Sequence, residues 1–281
     1  MPTDLTTAGL LQEGVRGLQT TLQSPQLDAE LLLAHALHVH RTRLKSHPEE
    51  MRGDAERERY LALIARRNSG EPLAYLIGQR DFWSLRLSVD PSVLVPRPET
   101  ELLVERALAL RAERPSQVAD LGTGSGAIAL ALARERPSWS IVATDVSGEA
   151  LRVARHNAEA CAIKTVEFLL GSWFVPLLDR RFDLLLSNPP YVAQDDPVLA
   201  TPPLTFEPRI ALTPGPDALA SLKAIVREAP EHLEREGWLL LEHGAGQAPE
   251  VARALVARGF AHVRSHRDLA GHERMTEARW H

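Results

Sequence analysis

Apolar residues recur at helical spacing from the start of the chain, at Leu10, Leu11, Val15 and Leu18, then from Leu27 to Leu37, then from Ala55 to Ile64. Pro25 and Pro48 fall between these stretches and Asn68-Ser69-Gly70 closes the last, which predicts helices with no strand among them. The period then shortens. Phe82-Trp83-Ser84-Leu85-Arg86-Leu87-Ser88-Val89 alternates residue by residue, as a strand or hairpin does. From Pro98 onward, helical stretches near 98–112, 126–135, 148–160, 216–234 and 247–258 take turns with short apolar runs near 116–121, 140–144, 165–170, 181–187, 237–242 and 260–266. Such alternation predicts a mostly parallel, doubly wound sheet with helices on its faces. The expected fold is therefore α/β: a helical N-terminal domain at 1–75, a β-hairpin linker at 76–95 and a Rossmann-like domain at 96–281. Residues 192–215, rich in proline, show no period, and beside a site such a loop reads as a lid or substrate clamp.

With 281 residues and 44% hydrophobic content, the chain can bury a sizeable core. No apolar run approaches the ~20 residues that span a bilayer. The opening Met1-Pro2-Thr3-Asp4 lacks the basic-then-apolar order of a signal peptide, and Cys161 is the single cysteine, so a cytoplasmic protein is expected. The formal charge is −5, from 32 basic and 37 acidic residues, and Lys and Arg nowhere cluster as a phosphate-tracking surface requires. A monomer without membrane contact and without a direct nucleic-acid partner is expected. Two histidine pairs, His38 with His40 and His262 with His266, have no third ligand at zinc spacing, so no metal is expected.

The apolar run Phe182-Asp183-Leu184-Leu185-Leu186-Ser187 empties into Asn188-Pro189-Pro190-Tyr191. Two prolines at a strand end remove two backbone donors and fix φ, so the carbonyls there accept and nothing donates. Asn188 adds a side-chain acceptor and Tyr191 a flat face. Such a site suits a planar NH2 group, whose nitrogen lone pair can be aimed once both N–H bonds are held. A proline-rich turn that merely ends a strand is the bland alternative.

A second motif, Asp120-Leu121-Gly122-Thr123-Gly124-Ser125-Gly126, follows the first strand of the alternating region and opens a helix. Glycines there let a ligand approach the backbone beside a helix N-terminus, and Asp145, ending the next strand, is placed to hold ribose hydroxyls. Gly122-x-Gly124-x-x-Ala127 fits the dinucleotide fingerprint as well. Glycines at every second position, the Asn-Pro-Pro-Tyr strand end and the lack of an obvious hydride-transfer acid or base favour S-adenosyl-L-methionine. Trp173 either stacks on adenine or fills the core. Glu207 and Arg209, in the long loop, either contact substrate or form an ion pair that anchors the loop. Pro98-Glu99-Thr100-Glu101 reads as a helix start, and Arg97 before it is placed to face the site.

These motifs, with Pro96-Arg97-Pro98-Glu99-Thr100-Glu101, Thr144-Asp145-Val146-Ser147, Gly171-Ser172-Trp173-Phe174, Phe206 to Leu212 and Glu242-His243-Gly244, occur in an order that resembles the release-factor glutamine methyltransferases of the HemK (PrmC) type over nearly the whole chain. The resemblance implies a class I methyltransferase that methylates the side-chain amide nitrogen (N5) of the Gln in the Gly-Gly-Gln motif of class-1 peptide chain release factors. S-adenosyl-L-methionine would be the donor and S-adenosyl-L-homocysteine the product. It further implies that Gly122, Thr123, Gly124, Ser125, Gly126, Asp145, Trp173 and Asn188 line the cofactor site. Asn188, Pro189 and Tyr191 are the candidate catalytic residues, and Asn188, Pro189, Pro190 and Tyr191 the candidate substrate-binding ones.

Asn-Pro-Pro-Tyr alone also occurs in amino-methyltransferases that act on adenine or cytosine in RNA or DNA, which keeps a flipped-base substrate as an alternative. A non-catalytic cofactor-sensing module that binds release factors or ribosomes is a second, and a nicotinamide oxidoreductase a third.

Overall fold

The computed structural model describes residues 5–18, 24–111 and 114–281. Residues 1–4 and 19–23 of the expected helical domain, and residue 112 at the expected end of a helix, lie outside these. The chain divides into two compact units.

The first unit runs to Gly78 and includes Thr201–Phe206. Its helices are α1 (Thr7–Gly17), α2 (Pro25–Ala36), α3 (Arg41–Ser46), α4 (Asp54–Asn68) and α5 (Leu73–Ile77). The Thr6 side chain caps α1 by accepting from the Gly9 amide, and Glu56 caps α4 by reaching back 2.8 Å to the Gly53 N–H. Leu10, Leu32, Leu33, Tyr60 and Ile64 form the buried interior. Tyr60 lies against Gly14, where a Cβ would fall 1.7 Å from its hydroxyl, so α1 and α4 approach closely only because that position is glycine. The short α3 and α5 were not foreseen, since neither is long enough to display a period.

The second unit opens with a hairpin, β1 (Gln79–Phe82) and β2 (Leu85–Ser88), whose Phe82, Leu85 and Leu87 are buried in the core of this unit. There follow α6 (Glu101–Arg111), β3 (Gln117–Leu121), α7 (Ala127–Glu135), β4 (Ser140–Asp145), α8 (Gly148–Ala160), β5 (Val166–Leu170) and β6 (Phe182–Ser187). After the long loop come α9 (Arg209–Leu212), α10 (Ala220–His232), β7 (Leu233–Glu242), α11 (Ala248–Arg258), β8 (Ala261–Arg267) and β9 (Glu273–Arg279). The sheet order is β5-β4-β3-β6-β7-β9-β8; β3 to β7 pair in parallel, and β9 runs antiparallel to both β7 and β8.

The expected doubly wound α/β architecture is what the chain adopts, because its central strands are apolar on both faces. On β6, Leu184 and Leu186 point into one helix-covered core while Leu185 points into the other, and each fully buried Leu contributes roughly 1.5–3 kcal/mol. The strand order reverses at β3, with β4 on one side and β6 on the other. Ligands of open α/β sheets bind at the carboxyl ends of strands flanking such a reversal. The final strand β9 was not foreseen, and the proline-rich loop contains 3-10 turns at Pro197–Ala200 and Leu204–Phe206 as well as α9.

Candidate active site

A cavity of about 330 Å3, large enough for a small ligand, opens where β3, β4 and β6 end. Gly122, Thr123, Gly124, Ser125, Asp145, Trp173, Asn188 and Pro190 all line it, which brings together most of the residues singled out from sequence. Gly126, Pro189 and Tyr191 are not part of its wall.

Directly after β3 the chain turns through Gly122 and Gly124 at φ +76° and +57°, a backbone that side chains resist. A Cβ on Gly122 would meet the Trp173 ring at 3.1 Å, whereas one on Gly124 would meet no protein atom within 4 Å. Bare backbone therefore borders open volume at Gly124. Gly126, at φ +85°, starts α7 and is packed under Leu130 and Ala154 instead.

Asp145 accepts the Gly124 N–H and the Ser147 N–H, each at 2.9 Å, which ties the end of β4 to the glycine loop. Burial pushes its carboxyl above the usual range, and these backbone donors work against that rise. Beneath the loop, Asp120 is fully buried and accepts the Thr123 hydroxyl at 2.6 Å and the Ala129 N–H at 3.3 Å. Burial is the main reason its carboxyl is pushed up to about 7. Its Oδ1 has no hydrogen-bond partner among the described residues.

Trp173, at φ +45°, accepts the Thr144 hydroxyl on its backbone oxygen at 3.0 Å. It packs partly against the core and also lines the cavity.

Asn188 donates through Nδ2 to the Thr100 hydroxyl oxygen at 3.1 Å. With its nitrogen engaged there, the Asn188 side chain has its Oδ1 left to accept. Tyr191 is mostly buried; its hydroxyl donates to Glu242 Oε1 at 3.3 Å and its backbone oxygen accepts Gln247 Nε2 at 3.0 Å. Burial pushes the Tyr191 phenol well above its ordinary value, so it stays protonated and uncharged.

Glu207 resolves as an ion-pair partner: its buried carboxylate accepts from Arg97, which lines the cavity, and from the Val95 N–H at 3.2 Å. Arg209 stays within the long loop, on the Gln194 carbonyl at 3.4 Å. Sequence reasoning missed the cavity positions of Val146 and Ile210, which are 55% and 59% exposed. Each neighbours a residue already singled out, Asp145 and Arg209, which was the available signal. Among the described residues no cluster of three or more His, Cys, Asp or Glu side chains could hold a metal ion, and no helix is long and apolar enough to cross a membrane.

The strand order with its antiparallel β9, and a glycine loop opening on a cavity at the strand ends, define a class I methyltransferase. A crystal structure of a methyltransferase from Pyrococcus furiosus shares the fold, with a TM-score of 0.54 and 18% identity over 76% of this chain and 96% of that one. The family models described as PrmC N-terminal domain and methyltransferase small domain match residues 9–78 and 98–207. The release factor glutamine methyltransferase of Pseudomonas aeruginosa is 49% identical over 257 residues, 92% of this chain and 93% of its own length. That of Escherichia coli is 42% identical over 271 residues, 96% and 98% of the two chains. The chain belongs to the release factor glutamine methyltransferase family, and use of S-adenosylmethionine goes with that membership.

Proposed function

We propose that the chain methylates the side-chain amide nitrogen of the Gln in the Gly-Gly-Gln motif of class-1 peptide chain release factors. The observation that carries this reading is the orientation of Asn188: with Nδ2 held by Thr100, its Oδ1 is the atom left for a ligand in the cavity. An acceptor there recognises an NH2 group and not a carboxylate.

The residues fit S-adenosyl-L-methionine. Bare backbone at Gly124 leaves room for it, Asp145 offers oxygens to ribose hydroxyls, and the Trp173 ring offers a face to adenine. When bound, S-adenosyl-L-methionine would supply a methyl already activated by a sulfonium, with S-adenosyl-L-homocysteine as the leaving product. The chain's own task is then orientation. Asn188 Oδ1, on the cavity wall, accepts one hydrogen of the substrate amide; Pro189 and Tyr191 lie outside that wall, so the Pro189 carbonyl accepts the other hydrogen and the Tyr191 ring limits tilting only for a substrate that reaches past it. An amide nitrogen is a poor nucleophile, and holding it near attack geometry can supply up to ~7–11 kcal/mol of the barrier. The two acceptors also stabilise positive charge that develops on nitrogen. A methylated amide cation is acidic enough to lose its proton to water, so no dedicated base is required.

The remainder of the proposal follows from the same reading. Residues 1–75 serve as the substrate-recognition domain, since three small residues offer too little area for specificity, and the protein works as a cytoplasmic monomer without a metal. Mass spectrometry of a release factor incubated with enzyme and cofactor tests the central statement: one added methyl on the Gly-Gly-Gln glutamine is expected. A methyl found on nucleic acid instead would refute it.

A further inference from the structure

Pro189 and Pro190 carry no N–H, so two successive residues of the turn from Asn188 to Tyr191 can donate nothing to the protein around them, and the turn must be held from its ends. Its entry belongs to the sheet. Ser187, fully buried at the end of β6, pairs with Leu121 and Leu241 on the neighbouring strands and donates its hydroxyl to the Leu121 carbonyl at 2.6 Å. At the exit, the Tyr191 hydroxyl donates to Glu242, which fixes the ring, and the peptide between Tyr191 and Val192 is gripped on both edges. Its carbonyl accepts Gln247 Nε2 at 3.0 Å, and its N–H donates to the Leu212 carbonyl at 3.0 Å. Leu212 ends α9 between Ala211 and Thr213, which both line the cavity. One peptide therefore connects the turn that carries Asn188 with the loop that walls the cavity beside it, and Gln247 fastens that peptide to the start of α11.

Gln247 is itself held firmly. Its backbone N–H donates to the Gly244 carbonyl at 3.1 Å, its Oε1 accepts the Gly244 N–H at 2.8 Å, and its own carbonyl accepts the amides of Glu250 and Val251 in the first turn of α11. The Gly244 N–H can only donate and the Tyr191 carbonyl can only accept, so the span between them calls for a group with an acceptor at one edge and a donor at the other. A carboxamide supplies both.

From this geometry we infer that Gln247 is a positioning residue for methyl transfer: by tying the Tyr191 carbonyl to Gly244 it sets where Asn188 and Pro190 stand on the cavity wall, and where Ala211 and Thr213 stand beside them. Gln247 is not part of that wall and acts only through the turn. The inference rests on the reading of Asn188 as the residue that grips the substrate amide.

The test is single-turnover methylation of a release factor by the full chain and its variants, at saturating cofactor and on protein shown by circular dichroism to be folded at each pH. Gln247→Met keeps the length and removes both side-chain bonds. Its rate constant should fall about 10- to 10²-fold, the cost of reacting groups misplaced by a change away from the chemistry, with cofactor affinity little changed. A side chain that served stability alone would leave the folded protein with the wild-type rate constant. Gln247→Glu adds a sharper readout. Ionised, it still accepts from Gly244 but sets a second acceptor against the Tyr191 carbonyl; protonated, it donates there as Gln does. The ratio of its rate constant to that of Gln247→Met should therefore climb about 10-fold from about pH 8 to pH 5, as a carboxyl facing a carbonyl takes up its proton. The other titratable and charged groups around position 247 are Tyr191, Glu242 of β7, His243 on the Gly244 carbonyl, Glu250 of α11 and Arg274 of β9, and being common to both variants they cancel in the ratio. A wild-type rate constant in Gln247→Met, or a ratio that stays flat, overturns the inference if Asn188→Ala is slow. If Asn188→Ala is as fast as the wild type, the underlying reading of Asn188 has failed instead. Should Gln247→Met not fold, Gln247→Glu measured against the wild type over the same interval decides alone.

Discussion

Asn188 is uncharged and does not titrate, so whatever it contributes must come from where its acceptor points. Replacing it with Ala removes one preorganised polar group facing the cavity, and turnover should fall by ~10²–10³-fold. Cofactor affinity, read by calorimetric titration, should change far less; an unchanged single-turnover rate would sink the role given to Asn188. Gly122 makes a different prediction. An Ala there must hold φ near +76° and bring its methyl to 3.1 Å from the Trp173 ring. About 1–2 kcal/mol of stability should be lost from the backbone alone, and displacement of the ring should weaken cofactor binding in the same titration. Both sites were legible in the sequence, because each motif is contiguous and sits where an apolar run ends. Thr100 and Glu242 were not: the Asn188–Thr100 bond joins residues 88 apart and the Tyr191–Glu242 bond joins residues 51 apart, and no spacing rule connects them. Thr100 read simply as part of a helix start, which it also is.

Elements declare themselves when burial leaves a period or an unbroken apolar run, and β3, β4 and β6 leave such runs because both of their faces lie against helices. The strand β9 does not. Its sequence, Glu-Arg-Met-Thr-Glu-Ala-Arg, reads as a solvated charge run, yet Met275, Thr276, Glu277 and Ala278 are all buried. Neutralisation makes this possible: Arg106 of α6 places its Nε 3.0 Å and a terminal nitrogen 3.1 Å from the two Glu277 oxygens. The arginine that rescues Glu277 is 171 residues away in sequence, which is why the strand was invisible beforehand. Arg106→Met should leave the buried carboxylate with only the His266 ring, whose Nε2 lies 3.1 Å away, and cost about 3 kcal/mol in urea denaturation. Adding Glu277→Gln to that variant should recover part of the loss, since the expense lies in the unpaired charge and not in the missing contact. Equal stabilities for the single and double variants would contradict this account of β9.

The molecule as a whole carries buried acids whose proton affinities oppose the usual trend of stability with pH. Asp120 and Glu242 are both pushed up to about 7 by burial, from ordinary values of 3.8 and 4.5. A carboxyl with a raised folded value favours the folded chain while protonated, and that contribution is lost as pH rises through the folded value. Buried His243, held below 6.5 mainly by desolvation, acts the other way, favouring the fold at higher pH and losing that contribution as pH falls. The slope for the wild type therefore mixes opposing groups, and a difference measurement isolates one of them. Asp120→Asn cannot ionise. Its stability relative to the wild type should be constant in acid and then improve between about pH 4 and pH 7, by on the order of 4 kcal/mol if the whole shift is realised. The constant part reports the lost contacts to Thr123 and Ala129, and the pH-dependent part reports the buried charge. Urea midpoints near pH 4 and pH 8 separate the two. A difference that stays flat across that interval would mean that Asp120 is ionised in the folded chain throughout, and that a negative charge lies buried beneath the glycine loop at every working pH.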